Sequence, residues 1–288
     1  MHSPDQPEIL RLLPDGTKVV DGEIAISGVR VSDLAAAFGT PAYIVDERAL
    51  RQRIRDYREG LHRRWPNSRV YFASKAFPST AVYRVMADEG LGIDVAGGGE
   101  LVMALAGGVK PSDILVHGNA KTDVDLRMAV DAGVGLIVID NLEEIERLSE
   151  IVTGTQDVLV RFRPDVDAQT HSAMATGQGD SKFGLGLDDA RAAIRMIEQS
   201  RCLRMRGVHV HIGSQVFDTT SFSEAIEALS TLGEHEIYDV GGGLGERYTY
   251  DDPEVGIDEY LDAVTAAAQK WLPAGSRLII EPGRSLVA

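Results

Sequence analysis

The sequence predicts an α/β protein built as a (β/α)8 TIM-type barrel, and two observations carry that expectation. From about residue 69, short β-branched apolar runs alternate with helical patterns, the mark of βαβ units around a parallel sheet. The runs number eight, at 69–74, 91–96, 114–117, 136–140, 158–162, 207–212, 237–240 and 278–281. Eight strands joined by helical crossovers close such a barrel. An open doubly wound sheet is the competing arrangement. A length of 288 residues allows either one barrel or two smaller domains, so the strand count decides.

The elements follow in chain order. Residues 8–32 read as one or two strands with turns at Pro14-Asp15-Gly16 and Asp21-Gly22. They give an N-terminal extension over 1–41 and a barrel over 42–288. Asp46 is placed to cap a helix whose apolar residues Leu50, Ile54, Tyr57, Leu61 and Trp65 form one stripe. Pro78 and Ser79 open the next helix, and Gly90 closes it after Val82, Val85 and Met86. AGGGE at 96–100 reads as a turn into a helix over 100–106. Between Arg163 and Leu187 lies a polar, glycine-containing connection without clear periodicity. It exceeds the roughly 12–15 residues beyond which loops are suspected of function, and it leaves the carboxyl end of the fifth strand, where barrel enzymes keep their chemistry. A surface insertion is the plain alternative.

Composition narrows the partners. Apolar residues make up 44% and charged residues 25%, as in a globular protein. With 29 Lys+Arg against 44 Asp+Glu the formal net charge is −15, which leaves no broad cationic face for nucleic acid or an anionic membrane. A small anionic ligand needs only a local nest of N–H groups and a cation or two. Cys202 is the single cysteine, so no intrachain disulfide forms and a reducing compartment is expected. The amino terminus has no apolar run behind a basic start, and no stretch approaches the roughly 20 apolar residues of a membrane span. A cytoplasmic protein is expected.

Four features carry chemistry. Lys75 directly follows the first apolar run in VYFASKA, which places its amine at the barrel mouth. Desolvation there lowers an ammonium's pKa and makes it a nucleophile toward a carbonyl, although many strand-ending lysines simply reach solvent. DVGGGLG, residues 239–245, follows the seventh run. Consecutive glycines let successive N–H groups converge on a phosphate, and the loops after strands seven and eight are the usual phosphate site of barrels. A ligand-free tight turn also accounts for the glycines, whereas a dinucleotide G-x-G-x-x-G from Gly241 fails at Glu246. The eighth run ends in EPGR: Glu281 is placed to hold a protonated ring nitrogen, and Arg284 to pair with a phosphate or carboxylate. His209 and His211 in HVHIGS share one face, but a metal pair would need His117 or His171 as well, and no metal is expected. In a closed barrel the eighth strand neighbours the first, so Lys75, the glycine nest and Glu281 together describe a pyridoxal phosphate site.

YFASKA, GLGIDVAGGGE, LVHGNAK, DAQTH, TGQGDSKFG, HVHIGSQ, DVGGGLG and EPGRS occur here in the order seen in fold-type III pyridoxal-phosphate-dependent decarboxylases. Over roughly residues 10–288 the chain resembles that family, and within it the diaminopimelate group. The resemblance implies a barrel of the alanine racemase-like, cofactor-binding kind. It implies that Lys75 carries the cofactor and that His211 stacks on its ring. Ser214, Gly241, Gly242, Gly243 and Arg284 would bind the phosphate, within a turn completed by Pro282 and Gly283. Glu281 would meet the pyridine nitrogen, with Asp94 and Arg161 in support and Arg284 also close to the substrate carboxylate. Related racemases place an arginine where this chain has Glu281, so the resemblance favours decarboxylation. Ala120 and Gly97 depart from the HGNNK and DVASGGE common in the family.

The expected activity is decarboxylation of meso-diaminopimelate to L-lysine, a step of lysine biosynthesis. In the family a carboxyl-terminal β domain follows EPGR and completes the site at a homodimer interface, whereas this sequence stops at Ala288. The chain alone is therefore expected to bind the cofactor and to turn over slowly or not at all. Three alternatives stand beside this: a pyridoxal phosphate barrel without a reaction, a related decarboxylase acting on ornithine, arginine or another biosynthetic amino acid, and a zinc-dependent barrel hydrolase.

Overall fold

The computed structural model describes residues 8–164 and 182–288. Its elements in chain order are β1 (Lys18–Val20), β2 (Glu23–Ile26), β3 (Val29–Arg30), α1 (Val31–Phe38), α2 (Glu47–Arg64), β4 (Ser68–Ala73), α3 (Thr80–Asp88), β5 (Gly92–Val95), α4 (Gly98–Ala106), β6 (Ile114–Val116) and α5 (Asp123–Ala132). They continue with β7 (Leu136–Ile139), α6 (Leu142–Ile151), β8 (Gln156–Phe162), α7 (Leu187–Gln199), β9 (Leu203–Val210), α8 (Thr220–Ser230), β10 (Ile237–Asp239), α9 (Ile257–Trp271), β11 (Arg277–Ile280) and α10 (Arg284–Val287). The eight runs are the eight strands β4–β11, all parallel and closed into a barrel in the order β10-β11-β4-β5-β6-β7-β8-β9. The closing pair joins β11 to β4 through Leu278↔Ser68, Ile279↔Arg69 and Ile280↔Val70.

One expectation is corrected at the amino terminus. The extension holds three short antiparallel strands rather than one or two. The third, β3, has only two residues, Val29 and Arg30, too short to leave a period-two signal in the sequence. The helices follow their local signals. Asp46 Oδ1 accepts from Ala49 N at 3.1 Å, and the whole stripe of α2 from Leu50 to Trp65 is buried. Thr122 and Asp125 form a reciprocal capping box on α5. Among the described residues no helix is long and apolar enough to cross a membrane.

The core has two parts because strand side chains alternate between the two sides of the barrel wall. One set packs outward against the helices. The other, Tyr71, Leu115, Leu136, Val138, Leu159, Ile237 and Ile279, fills the interior as a separate apolar cluster. Gly92 makes room for this plug: a Cβ there would stand 2.4 Å from the Tyr71 ring. The plug occupies the amino-terminal half of the interior, so the carboxyl-terminal half is left to whatever lies two residues further along each strand.

Candidate active site

Two residues beyond the plug, the interior becomes charged. Asp94, His117, Asp140, Arg161, His209, Asp239 and Glu281 are all buried there, from β5 to β11. Glu281 is the hub. Its Oε1 lies 2.6 Å from His117 Nε2 and its Oε2 lies 3.4 Å from His209 Nε2. Burial opposes ionisation of this carboxyl, but His117 and His209 outweigh it and hold it well below the ordinary range. Asp94 lies 4.0 Å from His117 Nε2, and burial, opposed by His117 and aided by Glu281, pushes it up to about 6. Burial and the Glu281 charge raise Asp239 well above the usual carboxylate value. Arg161 pairs with Asp140 at 3.4 Å and stacks over Phe183 at 4.7 Å.

Above this layer Lys75 sits in a single 3-10 turn, Ser74–Ala76, immediately after β4. The side chain is exposed, so the burial expected of a strand-ending lysine is not met. The turn swings it out of the strand line and into the mouth. Two cavities meet at Lys75, His211 and Glu281. The inner one, of ≈ 310 Å³, also reaches Asp94 and Arg161, and the outer one, of ≈ 500 Å³, reaches Ser214, Gly243, Gly283 and Arg284. Both sizes suit small-molecule sites. Burial first, then the cations Lys75 and Arg161, push His211 well below the ordinary imidazole value, so it is neutral at pH 7.

The outer cavity has the chemistry of an anion site. Gly241 and Gly243 adopt left-handed φ of 66° and 129°, and a Cβ on Gly242 would stand 2.0 Å from the Glu281 carbonyl oxygen. The Gly241 N–H donates to Asp239 Oδ1 at 2.9 Å, so the expected run of three N–H donors is reduced to those of Gly242 and Gly243, from which no described residue accepts. Arg284 Nε donates to Ser214 Oγ at 3.2 Å and Nη1 to Tyr248 Oη at 3.1 Å, which fixes the guanidinium over the cavity. Pro282 and Gly283 supply the turn that brings it there: Ala73 N donates to Pro282 O at 3.1 Å, tying the turn to the end of β4.

The glycine loop is sewn to its neighbour. Gln215 Nε2 donates to Glu246 O at 2.6 Å and Glu246 N donates to Gln215 Oε1 at 2.9 Å, while Val216 N and Gly245 N exchange bonds with Gly243 O and Val216 O, each at 2.9 Å. The side-chain amide of Gln215 thus stands in for one more residue of strand pairing. Replacing Gln215 by Ala is expected to leave the fold intact and weaken phosphate-dependent cofactor binding about three- to tenfold, the worth of one or two neutral hydrogen bonds. Titration with pyridoxal phosphate against pyridoxal checks this, since only the phosphorylated form should lose affinity.

The structure brings together every proposed site residue: Lys75, Asp94, Arg161, His211, Ser214, Gly241, Gly242, Gly243, Glu281, Pro282, Gly283 and Arg284. Sequence reasoning passed over Asp140, Asp239, Gln215 and Tyr248, and weighed His117 and His209 only as metal ligands. The missed signal is the alternation itself: His117, Arg161, Asp239 and Glu281 each stand two residues after the plug residues Leu115, Leu159, Ile237 and Ile279. His171 and the loop residues Thr170, Thr176–Gln178 and Ser181 lie outside the described residues.

An amine, a glycine nest beside an arginine, and a buried carboxylate with lone pairs to spare, all at the carboxyl-terminal mouth of a parallel barrel, define a site for a phosphorylated aldehyde with a basic ring nitrogen. Comparison with known proteins agrees. Residues 47–288 match the family model described as pyridoxal-dependent decarboxylase, pyridoxal binding domain. The chain is 42% identical over 290 residues to diaminopimelate decarboxylase of Actinosynnema pretiosum subsp. auranticum, covering 96% of this chain and 65% of that protein. It is 39% identical over 284 residues to the Bacillus subtilis enzyme of the same name, covering 92% and 65%. The crystal structure of diaminopimelate decarboxylase from M. jannaschii superposes with a TM-score of 0.87 at 31% identity, covering 97% of this chain and 68% of that one. The chain belongs to the pyridoxal-dependent decarboxylases, of which it carries the pyridoxal binding domain. It spans about 65% of the length of the curated relatives it matches.

Proposed function

We propose that this chain is the cofactor-binding part of a cytoplasmic, homodimeric amino-acid decarboxylase that converts meso-diaminopimelate to L-lysine. The observation that carries the reaction type is Glu281, a buried carboxylate held in its ionised form at the barrel mouth. The substrate reading is supported by the names of the relatives and by the M. jannaschii enzyme, whose structure was solved in co-complex with L-lysine.

Lys75 Nζ would hold the cofactor through its aldehyde carbon. The neutral imidazole of His211 covers the ring face. Ser214, Arg284 and the N–H groups of Gly242 and Gly243 hold the phosphate, and Gly241 shapes the loop through Asp239. Glu281 accepts from the protonated ring nitrogen and keeps the proton there. Asp94 and Arg161 set the charge around it, the arginine balanced by Asp140. When bound, the cofactor supplies an electron sink for the pair left at Cα as carbon dioxide departs. In this reading Arg284 also meets the substrate carboxylate. A group that returns a proton to Cα, and the contacts that choose the substrate, belong in this reading to a further domain and the dimer interface.

The test offers meso-diaminopimelate, L-ornithine and L-arginine to the cofactor-loaded chain, alone and joined to the remaining portion of the 42%-identical relative. Lysine and carbon dioxide from meso-diaminopimelate are expected from the joined protein, with little from the chain alone. Release from ornithine or arginine instead moves the assignment to those groups. Bound cofactor without release from any of the three overturns decarboxylation, and rapid turnover by the chain alone overturns its dependence on a further domain.

A further inference from the structure

Beneath the ring-nitrogen carboxylate lies a pair of histidines to which the reaction assigns nothing. His117 follows β6, His209 belongs to β9 and Glu281 follows β11, so three separate strands converge on one carboxylate. Both imidazoles are buried, at 7% and 1% exposure, and pack edge to face with centroids 4.5 Å apart. A carboxylate oxygen only accepts, so the 2.6 Å contact requires His117 to carry its proton on Nε2. His209 Nε2 stands 3.4 Å from the other oxygen, within reach from its own strand but not aligned for a hydrogen bond in this structure. Each carboxylate oxygen has two acceptor directions, so one imidazole on each leaves one direction per oxygen for a ring N–H.

We propose that His117 and His209 are positioning residues that donate Nε2–H to the two oxygens of Glu281 and so fix the carboxylate, in plane and in orientation, for the cofactor's ring nitrogen. The inference rests on the reading of Glu281 as that nitrogen's partner. With a single donor the carboxylate turns freely about its last bond; donors from two strands remove that freedom. The neighbourhood explains the need. Asp94 on β5 and Asp239 on β10 face the same carboxylate, and Arg161, Lys75 and His211 complete the ring of charged and titratable groups around it. Without the imidazole donors, Glu281 would compete for a proton with two other buried carboxyls and cease to be a dependable acceptor. The same residues do not suit a metal in this arrangement. The ligand atoms of His117, His209, Asp239 and Glu281 lie within 4.8 Å of one another, but tetrahedral zinc with bonds of about 2.0 Å separates its ligands by about 3.3 Å. The 2.6 Å between His117 and Glu281 leaves no such room.

Two measurements decide it. In the unliganded chain carrying 15N-labelled histidine, both residues should appear as Nε2–H tautomers, and an Nδ1–H tautomer at either overturns the clamp. In the chain loaded with cofactor labelled at the ring nitrogen, the 15N shift should report a protonated nitrogen from pH 6 to 9. His117→Phe and His209→Phe should each lower that nitrogen's pKa by about one unit or more and weaken cofactor binding about tenfold, and His117→Gln, which keeps an N–H donor, should recover most of both. An unchanged ring-nitrogen titration in both Phe variants overturns the proposal, as does tight zinc binding by the unliganded chain. If the wild type binds no cofactor, the functional reading falls while the tautomer measurement still judges the clamp.

Discussion

Lys75→Ala is expected to abolish covalent retention of the cofactor altogether. Two other lysines come near the mouth, and the structure distinguishes them. Lys121 is buried with its ammonium donating to Gly118 O at 2.6 Å and Val138 O at 2.7 Å and ion-paired with Glu144 at 2.9 Å, so it is held away from the cavities. Lys182 Nζ lies 5.3 Å from the centroid of the Phe183 ring, held toward that side of the inner cavity. Of the lysines, Lys75 alone lines both cavities, between the glycine loop and Glu281. After borohydride, peptide mass analysis should place the pyridoxyl group on Lys75 in the wild type and on no lysine in Lys75→Ala, while Lys182→Ala should behave as wild type. The phosphate contacts remain in Lys75→Ala, so weak non-covalent binding persists, with affinity lower by about 10²-fold or more. That is a modest share of the effective molarity that a well-oriented intramolecular amine commands. Labelling at Lys182 in the wild type would refute the assignment.

Glu144→Ala is expected to be the most destabilising single change away from the site. Lys121 and Glu144 have side chains with 0% exposure and face each other at 2.9 Å inside the protein. Burial raises the Glu144 pKa, and Lys121 opposes that rise. Removing the carboxylate leaves an ammonium with two carbonyls and no counter-charge, a loss of about 3–5 kcal/mol. Thermal unfolding should register it as a fall of roughly 10 °C or more. Because a buried pair replaced on both sides often loses little, Lys121→Met with Glu144→Leu should recover most of that loss. If the double variant is no more stable than Glu144→Ala, the pair is not what the single change disrupts. Lys121 also anchors Gly118, next to His117, so Glu144→Ala should bind cofactor more weakly even below its melting temperature.

The barrel was legible because its strands are buried on both faces and read as continuous apolar runs between capped helices. The cofactor residues were legible where the chemistry needs a rare local pattern, as in three adjacent glycines or a lysine, glutamate or arginine at a strand end. What stayed hidden depended on closure. His117 and His209 lie 92 positions apart in the chain and touch only because six other strands curve between and around them. The exposure of Lys75 depends on a single 3-10 turn that no periodicity announces, and the loss of Gly241 as a donor depends on the rotamer of Asp239. The amino-terminal strands were undercounted because a two-residue strand carries almost no pattern.

The seam between β11 and β4 also sets an order of events. Lys75 stands at the end of the first barrel strand and Glu281 at the end of the last, and they meet only when that seam closes. A growing chain exposes its future anchoring lysine early and gains the matching carboxylate, arginine and turn about 200 residues later. The entropy of joining such distant segments must be met before any ligand can help. Cofactor capture is therefore a report that the ring is whole. A nascent or clipped barrel that has lost its last strand keeps the nucleophile but has no socket for the ring nitrogen.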